Sequence, residues 1–144
     1  MTTNFKDLTS DPSRYPAGMK IVNKPWGREL WLALNEFYCY KQIEINAGQA
    51  TSFQYHNMKI ETNYLASGKA EFWLENASGE IEKKIVVAPH IMDIPRPGLR
   101  HRVIALTDIV LLEASSPHVD DVVRINDEFG RGDGRIEGEH GYKQ

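Results

Sequence analysis

The segment FQYHNMKIETN, residues 53 to 63, places Gln54, His56, Lys59 and Glu61 within one short stretch. Imidazole nitrogens and carboxylate oxygens are metal ligands, and an amide oxygen can join them. Regular backbone geometry restricts how these groups could meet. In a helix, His56 and Glu61 would lie about 140° apart and Gln54 and His56 about 160° apart, so the side chains would diverge. In a strand, Gln54 and His56 share a face because side chains alternate with a period of two. Glu61 has the wrong parity for that strand, but a chain reversal at NMK lets it open the partner strand on the same side. His101 follows the Pro-Gly turn in IPRPGLRHRV and opens a further strand, which makes it a fourth candidate. Two imidazoles, one carboxylate and one amide oxygen suit zinc, manganese, iron or nickel better than calcium or magnesium, which prefer oxygen alone. One carboxylate against a divalent ion leaves a positive site, able to polarise a carbonyl or hydroxyl as a Lewis acid. The plainer alternative makes His56 and His101 ordinary hydrogen-bonded histidines and Glu61 a solvent-facing strand residue.

Other charged residues stand out by parity. In FYCYKQIEI, Lys41 falls on the face of Cys39, Ile43 and Ile45, where an unpaired ammonium is costly. It must meet either a buried carboxylate or an anionic ligand in a cavity. Glu113 shares parity with Ile109 and Leu111 in IVLLEAS, so it too points inward, to pair with Lys41 or to shuttle protons. His90, Arg96, Arg100 and Arg102 flank the His101 segment, and Arg124 with Asp127 reads as a structural charge pair. Trp26, Trp31 and Trp73 read as core rather than as a sugar-stacking surface.

The elements that must carry these groups are short. From about residue 20 to 115, segments such as GRELWLAL, IETNYLA, AEFWLE and IEKKIVVA are separated by Asn, Gly, Ser and Pro clusters. That spacing predicts an all-β sandwich or barrel. A short helix is expected only in VDDVVRINDEFG, where Val119, Val122, Val123 and Phe129 recur loosely. The 144 residues fit one domain, able to bury roughly 70% of its unfolded surface. A net charge of -3 without a Lys/Arg run excludes an electrostatic case for nucleic acid or an anionic membrane. Cys39 is the single cysteine, the start of the chain shows no signal pattern, and no run of 18 apolar residues occurs. A cytoplasmic protein is the expectation. The Arg-Gly-Asp triplet at 131–133 reads as chance.

GQATSFQYHNMKIETNYLASG resembles the first cupin motif, G-x5-H-x-H-x3-4-E-x6-G. Gly48, His56, Glu61 and Gly68 are in place, and Gln54 stands where the first histidine would be. PRPGLRH resembles the second motif, with Gly98 and His101 in place, one extra residue beside the prolines and Ala105 where Asn is common. The Gln-x-His variant, the opening NKPWGRELW and the closing SSPHVDDVVRINDEFGR resemble the cupin domain of type II mannose-6-phosphate isomerases. Lys59 departs from that pattern, where Arg is usual, as does Asn63, where Trp is frequent.

The resemblance implies a single-domain cupin, a double-stranded β-helix or jelly-roll barrel with little helix. The barrel would span residues 20–131, between a polar arm at 1–19 and a flexible tail at 132–144. It implies one divalent ion, zinc first and then manganese, iron or nickel, held by Gln54, His56, Glu61 and His101. The activity would be that of a metal-dependent sugar isomerase or epimerase, acting on a phosphorylated or nucleotide-linked sugar by enediolate proton transfer. Glu113 or Lys41 would be the base, with Lys41, Lys59, Asn63 and Arg100 contacting the substrate. A homodimer is expected by analogy, with neither nucleic acid nor membrane as partner. The alternatives are a sugar-binding module without catalysis and an iron-dependent dioxygenase. The second fits less well, because Gln54 replaces a histidine of the usual three-histidine set.

Overall fold

The computed structural model describes residues 19–126 and 134–135. Most of the expected arm and tail, the Arg-Gly-Asp triplet, Phe129 and Asp127 lie outside the described residues. Among the described residues twelve strands follow one another: β1 Lys20–Lys24, β2 Gly27–Leu34, β3 Cys39–Ile45, β4 Phe53–Tyr55, β5 Glu61–Ser67, β6 Lys69–Glu75, β7 Ile81–Val87, β8 His90–Ile94, β9 His101–Ala105, β10 Ile109–Ser115, β11 Val123–Asn126 and β12 Gly134–Arg135. They form two six-stranded antiparallel sheets, ordered β1-β2-β3-β10-β5-β8 and β12-β11-β4-β9-β6-β7. No helix occurs among the described residues.

Where a short helix was expected, Val119–Val122 forms turns and Val123–Asn126 pairs with β4 instead. The physical reason is the exposed edge of β4: its backbone groups need partners, and a β-branched Val123 suits a ladder better than a helix.

The alternation seen in the sequence translates into burial. Along β5, Glu61, Asn63 and Leu65 face inward while Thr62 and Tyr64 face outward. Along β10, Ile109, Leu111, Glu113 and Ser115 are all buried. The apolar half of the interior is built on Trp26, Ile45, Leu65, Phe72, Met92 and Ile109. Each fully buried aliphatic side chain there contributes about 1.5–3 kcal/mol relative to exposure.

Register then decides which polar side chains meet. Glu113 lies opposite Lys41 on β3 and opposite Asn63 on β5, and Ser115 lies opposite Glu61. Trp31 on β2 lies opposite Lys41. One row across the sheet therefore reads Trp31, Lys41, Glu113, Asn63, all on the inner face. In the other sheet Gln54 lies opposite His101 on one side and Arg124 on the other. The β5–β6 corner needs glycine: Gly68 has φ +93°, and a Cβ there would sit 2.4 Å from the Asp108 carbonyl oxygen.

A candidate metal centre inside the barrel

His56, Glu61 and His101 are buried together, with ligand atoms all within 4.8 Å of one another. Glu61 Oε1 lies 3.1 Å from His56 Nε2 and 3.3 Å from His101 Nε2. The other ring nitrogens are committed elsewhere. His56 Nδ1 lies 2.5 Å from the Asp121 carbonyl oxygen, and His101 Nδ1 lies 2.8 Å from that of Leu99. A carbonyl only accepts, so each Nδ1 carries a proton, and in the neutral form of either ring the lone pair is on Nε2, turned towards the carboxylate. Burial lowers the pKa of His56, against the pull of Glu61, so its neutral form is favoured. His101 Nε2 is buried without a hydrogen-bond partner. Two lone pairs converging on a carboxylate oxygen repel one another, and a cation among them removes the repulsion. The residues fit a divalent ion, and the backbone carbonyls behind the rings supply the outer support that metal-bound histidines need.

Gln54 lines the same cavity, and its Oε1 accepts a 2.6 Å hydrogen bond from the Ser52 hydroxyl. A carbonyl oxygen has two lone pairs, so this bond leaves one for a further partner.

The cavity has a volume of about 90 Å³ and continues past the histidines to Lys59, Asn63 and Glu113. Lys59 Nζ lies 3.3 Å from Glu113 Oε2 and 3.7 Å from Glu61 Oε2. Burial acts to lower its pKa, but Glu113 and Glu61 override that, and the pKa moves up. Burial pushes the Glu113 carboxyl up to about 8, with Lys59 opposing and the neighbouring Glu61 charge adding to the rise. Burial acts on Glu61 in the same direction, but the Lys59 charge and a hydrogen bond with Glu113 hold it well below the usual carboxylate range. Asn63 Nδ2 points at Glu61 Oε2 over 3.4 Å.

The remaining sequence candidates have other surroundings. Lys41 Nζ bonds to Glu29 Oε1 at 3.2 Å and sits 4.5 Å from the Trp31 ring centroid, while the Trp31 indole N–H donates to the same glutamate oxygen. Of the two fates open to Lys41, the buried carboxylate is the one observed, and that carboxylate is Glu29. Glu113 takes Lys59 as its cation. Arg100 is half-buried, bonded to Glu75 at 2.8 Å and to the Gly79 carbonyl. Trp26 and Trp31 are core; Trp73 is half-buried, with Lys83 and Arg102 near its ring.

Sequence reasoning missed Glu29 and Asp121. Glu29 was legible by parity, since it shares a face with Trp31, which opposes the inward Lys41. Asp121 had no such signal: it sits in a turn, and its role depends on a contact across 65 positions.

Two antiparallel sheets enclosing such a histidine-carboxylate set define the cupin fold, which this chain has. No protein-family model matches the chain, and no curated protein matches it. Solved structures do. The capsular polysaccharide assembling protein CapF from Staphylococcus aureus superposes with a TM-score of 0.63 at 18% identity, over 80% of this chain and 38% of that one. Oxalate decarboxylase from Bacillus subtilis at pH 4.6 gives 0.66 at 15% identity, over 81% of this chain and 32% of that one. KdgF from Halomonas sp. gives 0.58 at 17% identity, over 69% of this chain and 88% of that one. The chain thus spans little more than a third of CapF and about a third of oxalate decarboxylase. Identities this low carry the fold alone. No helix among the described residues is long and apolar enough to cross a membrane.

Proposed function

We propose that the protein is a metal-dependent sugar isomerase or epimerase, of the mannose-6-phosphate isomerase type, acting on a phosphorylated or nucleotide-linked sugar. The observation that carries the reading is the convergence of two bare Nε2 atoms on Glu61, next to a second, proton-rich carboxyl at Glu113. His56, Glu61 and His101 would hold the ion, with the free lone pair of Gln54 completing the set. When bound, zinc, or alternatively manganese, iron or nickel, supplies Lewis-acid polarisation of a substrate carbonyl and its neighbouring hydroxyl. Glu113 holds a proton near neutral pH, which suits a group that moves a proton between adjacent carbons. Lys59 keeps its charge beside Glu113 and orients that carboxyl, and Asn63 offers an amide to a sugar hydroxyl. Lys41, already bonded to Glu29, acts on substrate only from the cavity wall. Arg100 would reach a substrate only by leaving Glu75. The cavity has room for an ion and a few reacting atoms, so the rest of the sugar would occupy its mouth.

The same reading takes the protein as cytoplasmic and homodimeric, with Tyr40, Tyr64 and Ile91 exposed on the outer face of one sheet. The test is deuterium uptake from heavy water into mannose 6-phosphate and related sugar phosphates by zinc- or manganese-loaded protein. Exchange at the carbon next to the carbonyl is expected; its absence with every sugar, alongside tight sugar binding, would favour the non-catalytic sugar-binding module.

A further inference from the structure

The loop that presents His56 does not hold its own shape. It is held by a residue 65 positions later, through two different parts of that residue. The Asp121 carboxylate accepts three consecutive backbone N–H groups, from Asn57 at 3.1 Å, Met58 at 2.6 Å and Lys59 at 3.0 Å. Its backbone carbonyl accepts from His56 Nδ1. Next to it, Ile60 N–H donates to the Ser116 hydroxyl while Ser116 N–H donates back to the Ile60 carbonyl. Asp121 and Ser116 between them therefore bond to every residue from His56 to Ile60.

We propose that Asp121 is the positioning residue of the metal centre: its carboxylate fixes the backbone of 57–59, and its carbonyl fixes the ring of His56, so that Nε2 is presented to the ion before it arrives. This rests on the metal reading given above. The argument is one of acceptors. Three adjacent N–H groups in a tight turn point to one side, and a single carboxylate with two oxygens satisfies all three. Without it, the buried Lys59 donor and the part-buried donors of Asn57 and Met58 lose their acceptor and the turn relaxes. The turn starts at His56 and ends at Lys59, so relaxation moves a ligand and the cation beside Glu61 together. The carbonyl acts separately, because an Nδ1 proton held there leaves Nε2 as the only ligating atom. Preset ligands bind an ion more tightly because less ordering remains to be done on binding.

The experiment is titration calorimetry of the full chain with zinc and with manganese, for the natural sequence, Asp121→Ala and Asp121→Asn. Each protein is also examined metal-free by amide and histidine-ring NMR. Asp121→Ala should bind either ion about 10–100-fold more weakly, the range for loss of an outer-shell partner. Asp121→Asn keeps at least one acceptor and should lose less. In the metal-free state, the amides of Asn57, Met58 and Lys59 should shift in both variants. A purely structural role would lower the melting temperature without changing the affinity of the folded protein. Undiminished binding by a folded Asp121→Ala would therefore overturn the proposal; if that variant does not fold, undiminished binding by Asp121→Asn with unshifted amides would do so. A natural chain that binds neither ion while the variants' amides still shift would instead bring down the metal reading, and this proposal with it.

Discussion

Among the described residues two lysines, Lys41 and Lys59, are buried in the barrel interior, and they differ in company. Lys41 has one carboxylate, Glu29, and the face of Trp31 against its ammonium. Lys59 has two carboxylates, Glu113 and Glu61, and behind Glu61 stand two imidazoles with their lone pairs forward. The first group is a buried ion pair capped by an aromatic ring, of the kind that tolerates the interior without calling for a ligand. The second carries one more acid than base, with imidazole nitrogens facing an oxygen. That surplus separates a structural pair from a site, and it lies in the arrangement rather than in the residue types, since Lys and Glu appear in both.

The sharpest way to break this contrast is to remove each ammonium. Lys59→Met and Lys41→Met should each destabilise the metal-free protein by about 3–5 kcal/mol, the usual effect of orphaning a buried charge. Zinc should recover much of the Lys59→Met loss in thermal melts, because an ion at Glu61 can offset the surplus charge, and none of the Lys41→Met loss. For Lys41→Met, adding Glu29→Gln should do what zinc does not. Equal rescue of both single variants by metal would erase the distinction.

Next in size is the site itself. Glu61→Gln should lower zinc affinity beyond the about 10–100-fold that follows loss of an outer partner, and should abolish deuterium uptake into substrate. The matching change at the structural pair, Glu29→Gln, should leave zinc affinity as it was, measured by the same calorimetry.

A smaller effect is expected from pH. The folded Glu113 carboxyl titrates at about 8, against an ordinary 4.5. Between these values the folded chain holds a proton that the unfolded chain lacks. Its contribution is therefore complete below 4.5 and is lost as pH rises through about 8. Metal-free protein should melt at a lower temperature at pH 9 than at pH 6.5, and Glu113→Gln should flatten that slope. His56 and Glu61, both shifted down, run the other way: their contributions are present at neutral pH and are lost on acidification. Melts from pH 3 to 9 read both limbs.

The smallest effect belongs to the surface. Arg100→Gln breaks a half-exposed bond to Glu75 and should cost about 0.2–1 kcal/mol with no change in metal affinity. A weakened sugar affinity in this variant, read by calorimetry, would return Arg100 to the substrate as the family resemblance implied.

Much of the fold was legible because strand parity is a local property. The inward placement of Glu61, Lys41 and Glu113 follows from period-two alternation, and the all-β architecture from short apolar segments between turn residues. The convergence of Glu61 with His56 also came through, but not as a hairpin: Glu61 opens β5 in the facing sheet rather than a partner strand of β4, and the two groups meet across the barrel interior. The helix expected near Val123 did not form, because four scattered apolar residues fit a strand as well as a helix when a neighbouring edge lacks partners. The cation of Glu113 was misjudged for a related reason. Register puts Lys41 directly opposite Glu113, yet the Lys41 side chain leans to Glu29, while Lys59 reaches Glu113 from a turn where parity says nothing.

The order of amino acids alone thus determined which residues point inward and which types gather near His56, since those depend on neighbours one or two positions away. Only the tertiary structure decided which acid each lysine neutralises, which tautomer each histidine takes and what holds the turn beneath the metal centre. Those depend on contacts such as His56 to Asp121 and Lys59 to Glu113, between groups more than fifty positions apart in the chain, which no local periodicity encodes.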